Sequence, residues 1–343
     1  MKVKSLFISA LLFLGLAFAQ DFTIGVSNGF ISSEWRTQML KNMEEVAAAY
    51  AEQGINIELV IESANVDVQG QIQQIQNLVN RGVDAIIINP NDQAALNLAL
   101  EDAVAQGIVV IAVDQEISAQ GVYNVAINQK EWAAESARWL AETLGGEGNI
   151  ILIEGFVGHP ANEARMEGVE EVLAEYPNIE VVGRESGAWD QATAQQVVSD
   201  LFASIPDIDA VWTQDGMAQG VWTAVRTANP DPFPIGTGEG HAGFLKLWQE
   251  IKAEHPDFQS FAVCNPPGQG ADGLRIAVEL LQGKQVDESK LQGPFGNTLY
   301  MPIPCRVSAE NFEEMYEMYQ DQPNTYVLDG IITQEEAAGF MMQ

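Results

Sequence analysis

From Phe22 to Asp114 short β-branched apolar runs alternate with helix-patterned stretches, and from Asn149 to Thr237 the same alternation returns. Phe22–Ser27, Ile55–Glu62, Val83–Asn89 and Ile108–Asp114 read as strands, while Glu34–Gln53, Val68–Arg81 and Asp92–Gln106 carry apolar residues at three- and four-residue spacing and read as helices. Strands joined through helices lie parallel, and a parallel sheet must be covered on both faces. Gly54, Gly82 and Gly107 fall where helices want a left-handed terminal residue. The second set offers strands at Asn149–Glu154, Ile179–Val182, Ile208–Thr213 and Phe233–Thr237. Residues 82–90 align with 207–215 at an offset of 125, which also carries Asp114 onto Glu239. Residues 54–63 lie over 177–186 at an offset of 123, and Trp35-Arg36 over Ala164-Arg165 at 129, shifts that loop insertions produce. The expectation is an α/β chain of two similar doubly wound parallel-sheet lobes.

The chain can supply two such cores, since 47% of its 343 residues are hydrophobic. Its 48 acidic side chains against 16 Lys and Arg give a formal charge of −32 with no basic run. Such a surface repels phosphate backbones and anionic leaflets, so nucleic acid is excluded and a small neutral ligand, or a protein, is expected. Lys2 and Lys4 precede an apolar run from Leu6 to Phe18 that ends in Ala17-Phe18-Ala19, the pattern of a cleaved signal peptide over residues 1–19. The run is shorter than a bilayer core requires, and no cysteine follows it to carry a lipid. The mature chain is expected in the periplasm or secreted, without membrane insertion.

In an open parallel sheet ligands bind beyond the carboxyl ends of the strands. The first half places Ser27-Asn28-Gly29-Phe30, Trp35, Arg36, Asn89, Asp114 and Gln115 there, and the second Phe156, His159, Arg165, Trp189, Gln214, Asp215 and Glu239. Carboxylates accept, arginines donate and amides do both, which suits sugar hydroxyls, while aromatic faces suit the C–H faces of a ring. Trp212 lies within a strand and reads as core, unlike Trp189.

These residues stand in motifs: Ser33-Glu34-Trp35-Arg36, Gly82-Val-Asp-Ala-Ile-Ile-Ile-Asn-Pro, Val110-Ile-Ala-Val-Asp114, Glu154-Gly155 with Arg165-Met-Glu-Gly168, Gln214-Asp215-Gly-Met-Ala218, Gly238-Glu239-Gly240 and Cys264-Asn265-Pro-Pro. In that order they resemble the type I periplasmic substrate-binding proteins of ABC transporters, in the ribose/galactofuranose-like group, from about Phe22 to Tyr300. The resemblance implies a periplasmic binding protein-like I fold and a monosaccharide or polyol ligand bound by Trp35, Arg36, Asp114, Arg165, Trp189, Gln214, Glu239 and Asn265, to which the reading of strand ends adds Gln115, Phe156 and Asp215 as ligand-binding candidates. It implies a transporter permease as partner, no cofactor and a monomeric protein. Gln115 stands where the family often has Arg, and Glu239 where it often has Asp. The fold implies a three-segment hinge, with crossings at Tyr123–Asn128, Phe261–Asn265 and Thr298–Pro304. The first lobe is then 20–125 plus 266–298 and the second 126–264 plus 299–343. Cys264 and Cys305 fall at two crossings; a disulfide between them and two buried free thiols are both open.

Other classes fit less well. Gly25-Val-Ser27-Asn-Gly29 matches a hydrolase nucleophile elbow, but it lies on the first strand and has no counterpart in the repeat. His159, His241 and His255 lack metal-ligand spacing, and no Walker lysine is present, so any energy coupling comes from another chain. A sensory protein docking a chemoreceptor or sensor kinase would use the same closed lobes and stays open as an alternative.

Overall fold

The computed structural model describes residues 20–31 and 33–342, so the signal peptide expected over 1–19 lies outside the described residues. The first half runs β1 (Gln20–Asn28), α1 (Glu34–Ala51), β2 (Ile55–Ser63), α2 (Val68–Arg81), β3 (Ala85–Asn89), α3 (Asn97–Ala105), β4 (Val109–Val113) and β5 (Tyr123–Ala126). The second runs α4 (Gln129–Thr143), β6 (Glu147–Glu154), α5 (Pro160–Ala174), β7 (Asn178–Ser186), α6 (Gln191–Ser204), β8 (Ala210–Thr213), α7 (Ala218–Ala228), β9 (Ile235–Glu239), α8 (Ala242–Glu254) and β10 (Ser260–Val263). The tail adds α9 (Gln269–Leu281), β11 (Thr298–Tyr300), β12 (Arg306–Val307), α10 (Phe312–Tyr319) and α11 (Gln334–Ala338).

Two six-stranded sheets result, ordered β11-β5-β4-β3-β1-β2 and β12-β10-β9-β8-β6-β7. Each position in one order has its counterpart in the other, so the sequence repeat is a repeat of topology. All pairings are parallel except β10 with β12. The third helix begins at Asn97 rather than Asp92 because the Asp92 carboxylate accepts from the amides of Ala94 and Ala95 and holds a turn there. Gly82 closes α2 at φ 70°, where a side chain would be strained.

The chain passes from the first lobe to the second after β5, back after β10, and over again between β11 and β12. Helix α9 belongs to the first lobe: Ala271, Leu274 and Ala277 share a core with Ile24, Met39 and Val113. Gly273 allows this packing, since a Cβ there would stand 2.5 Å from a Val113 methyl. Cys264 and Cys305 are joined by a disulfide with a Cα–Cα distance of 5.3 Å.

The tail corrects the expected assignment of 299–343 to the second lobe. Leu299 is buried in the first lobe, whose sheet continues through Tyr300. Beyond α10 the backbone runs beside the loop after β9, with Ala242 donating to Tyr326 at 2.9 Å and Leu328 donating to Gly240 at 2.8 Å. It then makes a fourth crossing. Gln38 of α1 exchanges hydrogen bonds with the backbone of Val327 at 2.8 and 3.0 Å, and Ile332, Ala337 and Met341 bury themselves in the first core. The physical reason is apolar: this stretch packs on α9, where Ile332, Ala337 and Met341 leave water for the first core.

Two carboxylates, one buried and one half-buried, fasten the strap. Asp329 accepts from the amide of Gly268 at 2.7 Å and from Asn42, and Asp272 accepts from the amide of Ile332 at 2.9 Å. Burial pushes the Asp272 carboxyl from its ordinary 3.8 up to about 8, with the nearby Asp329 charge acting in the same direction. A carboxyl that binds its proton more tightly when folded favours folding below its unfolded pKa, and that contribution is lost as pH rises through the folded value. Asp272→Asn is therefore expected to match the parent near pH 4 and to exceed its stability by on the order of a few kcal/mol near pH 8. Urea unfolding across that range checks this; a constant offset between the two curves would refute it.

Candidate functional site

The carboxyl ends of the two sheets face each other across a cavity of about 370 Å³. On the first-lobe side β1 ends in Asn28, whose Oδ1 accepts from Arg36 Nη1 at 3.0 Å. Arg36 sits in the first turn of α1, and burial lowers its pKa to about 10 against the opposing pull of Asp114, so it stays charged at neutral pH. Asp114 follows β4 at φ 70°. Burial raises its pKa, while Arg36 and Arg165 act to lower it. Trp35 lies beside Arg36 and donates its indole N–H to the carbonyl of Asn265 at 2.8 Å, tying α1 to a crossing segment.

On the second-lobe side Arg165 projects from α5 and is buried. Its Nε donates to Gln129 at 2.8 Å, Nη1 donates to Gln214 at 3.2 Å and pairs with Asp215, and the guanidinium lies 4.3 Å over the Trp132 ring. Asn265 donates to Asp215 at 2.9 Å. Glu239, fully buried, accepts from Gln191 and from the amide of Met217, each at 3.1 Å, and burial raises its pKa. Trp189 stands at φ 50° directly after Ala188 at φ 53°, two left-handed residues in succession. Its indole bonds Gln214 at 2.9 Å. Gly155 makes room for it, since a Cβ there would lie 2.1 Å from the indole. Phe30 of one lobe meets Phe156 of the other edge to face at 6.0 Å, and Phe156 meets Trp189 at 5.4 Å. The mouth is thus bordered by aromatic rings from both sides.

Residues 24–285 match the model of a periplasmic binding protein domain. The chain belongs to that family. A xylitol-binding protein of Mycolicibacterium smegmatis is 32% identical over 67% of this chain and 66% of its own length. A ribose import binding protein of Bacillus subtilis is 28% identical over 79% of this chain and 85% of its own. The crystal structure of an ABC transporter solute-binding protein from Thermobispora bispora superposes with a TM-score of 0.79 and 29% identity, covering 93% of this chain and 94% of that one. These relatives are binding proteins. In keeping with that, Ser27 is not displayed at an elbow in this periplasmic binding protein domain. It is buried in β1, its hydroxyl donating to Gln74 at 2.8 Å.

Of the residues singled out in the sequence, Trp35, Arg36, Asp114, Phe156, Arg165, Trp189, Asp215, Glu239 and Asn265 line the cavity. Gln115 and Gln214 stand one layer behind, where they bond the lining side chains His159, Arg165 and Trp189. The lining also takes in Asn91, Gln191 and His241. Asn91 was within reach of the rule that collects residues after strand ends, since it follows β3 by two positions. Gln129 carried no motif. It opens α4 just after a crossing, accepts from Arg165, and donates to the Asp114 backbone carbonyl at 3.3 Å and carboxylate at 3.4 Å, joining the charged groups of the two lobes. Among the described residues no group of His, Cys, Asp or Glu is arranged to hold a metal ion, and no helix is long and apolar enough to cross a membrane.

Proposed function

We propose that this protein captures a monosaccharide or related polyol between its lobes outside the cytoplasmic membrane and delivers it, as a monomer, to the permease of an ABC importer. The observation that carries the reading is the composition of the cavity wall. Arg36 and Asp114 from one lobe oppose Arg165, Asp215 and Glu239 from the other, with the Trp35 and Trp189 indoles beside them. Hydroxyl groups need donors and acceptors together, and the faces of a sugar ring need an apolar surface. Xylitol and ribose in the names of the relatives support the same class. Because both lobes supply the groups, a ligand satisfies them all only in the closed form, so binding favours closure and gives the permease a shape to read.

The test is a thermal-shift screen of the mature protein, unfolded and refolded to remove carried ligand, against pentoses, hexoses and polyols at about 1 mM. A binder of micromolar affinity adds roughly 4 kcal/mol and raises the melting temperature by several degrees. Selective shifts by a few sugars are expected. A folded protein that no sugar or polyol stabilises would overturn the reading.

A further inference from the structure

One wall of the cavity comes from neither repeat. Val327 lines it beside Gly240 and His241 of the second lobe and Glu34 of the first, and it lies beyond residues 24–285, which the family model covers. Val327 and His241 form an antiparallel bridge whose hydrogen bonds belong to their neighbours, Ala242 donating to Tyr326 and Leu328 donating to Gly240. In such a pair the two side chains stand close on one face, while the N–H and C=O groups of both residues point away from each other. Both residues line the cavity, so the shared face is turned toward it, and the outward groups of Val327 meet the first lobe. There Gln38 of α1 serves both at once. Its Nε2 donates to the Val327 carbonyl at 2.8 Å, and its Oε1 accepts from the Val327 amide at 3.0 Å. The same Nε2 donates to Asp329 at 3.2 Å. Beside this wall His241 Nε2 and Glu34 Oε2, from opposite lobes, are 3.5 Å apart.

We infer that Val327 is a ligand-contacting specificity residue, limiting the size of the sugar or polyol at this end of the cavity, and that Gln38 is the positioning residue that holds it there. The inference rests on the sugar reading above and deepens it. Val327 offers only methyl groups, so it meets ligand carbon rather than hydroxyl. Its β-branched side chain has little rotamer freedom, and at 5% exposure it is backed by protein. Its backbone is fixed on both edges, by residues 240–242 of the second lobe and by Gln38 of the first. A wall so fixed discriminates by volume: a larger ligand must displace the strap, and a smaller one leaves a void. Selection at this end is therefore separate from the polar recognition supplied by Arg36, Asp114, Arg165 and Glu239, and it changes without any change in them.

The experiment is calorimetric titration of the parent, Val327→Ala, Val327→Ile, Gln38→Leu and the double variant Gln38→Leu, Val327→Ala with two smaller probes, D-ribose and xylitol, and two larger ones, D-allose and myo-inositol. The readout is the ratio of affinities for the larger over the smaller probes, because a variant that merely loosens the fold weakens all of them alike. Where a probe does not bind, the bound set by the highest concentration used stands in for its affinity. Alanine removes both γ-methyl groups and is expected to raise the ratio about tenfold, whereas isoleucine adds a methyl group and is expected to lower it about tenfold. Gln38→Leu keeps the bulk and loses both bonds to Val327. It is expected to raise the ratio as alanine does and to add nothing in the double variant. Ratios that do not move in opposite directions in Val327→Ala and Val327→Ile overturn the inference while the sugar reading stands. A Gln38→Leu shift that adds to that of Val327→Ala overturns the positioning role. If none of the four probes binds the parent, the sugar reading falls and the inference falls with it.

Discussion

Arg165→Met is expected to cost about 3 kcal/mol of stability and to abolish ligand binding. The arginine is 2% exposed and is the cationic partner of Asp215, which keeps 19% of its side-chain exposure. Breaking a buried pair by removing one partner costs roughly 3–5 kcal/mol because the remaining charge is left in a poor solvent, and the partial exposure of Asp215 places the expectation at the lower end. Methionine preserves much of the packing against Trp132 but leaves the Gln129 carbonyl without its donor. Lysine should not rescue, because one ammonium cannot reach Gln129, Gln214 and Asp215 from the directions a planar guanidinium serves. Urea unfolding and a sugar titration measure the two effects. A variant within about 1 kcal/mol of the parent would show that the Arg165 network contributes little to the fold.

Removing the disulfide is the second large effect. Cys264 and Cys305 are 41 residues apart, and the loop they close holds α9 and β11, the first return of the chain into the first lobe. Restricting a loop of that length in the unfolded chain is worth about 4 kcal/mol in the chain-entropy account. The double Cys264→Ala, Cys305→Ala variant should lose that much, and the parent unfolded in reductant should lose a similar amount without any side chain changed. Agreement of the two separates the cross-link from the packing of Cys264 in the second core. A double variant as stable as the parent would mean that the unfolded chain is already constrained there.

The fold was legible because parallel strands buried on both faces write themselves as apolar runs, and because the run was written twice. Ala85–Asn89 and Ala210–Thr213 occupy equivalent places in their sheets, as the offset of 125 required. The start of α3 was misplaced because Asp92 suits a turn as well as a helix entry, and the choice lies in bonds to Ala94 and Ala95. The tail was assigned to the second lobe, although its apolar residues, Tyr326-Val-Leu and Phe340-Met-Met, do not distinguish the lobes. Short apolar clusters without a period fit either of two cores, and the decision lies in packing against α9. At the site, residues on strand ends were recoverable one by one. Gln129 acquires meaning only from Asp114 in the other lobe, which no local pattern records.

The fourth crossing has a consequence for the order in which the molecule can be made. The first lobe combines β1 at the start of the chain with Met341 near its end, and the second lobe is interrupted by α9 and β11. Neither lobe is a continuous stretch of sequence. A chain emerging amino end first can form individual βα units early, but it cannot seal the first core until Ile332, Ala337 and Met341 arrive. Until then apolar faces of α1 and β1 stay accessible, and contacts of such long sequence separation form slowly. The container is finished only when residues 332–341 have closed the first core.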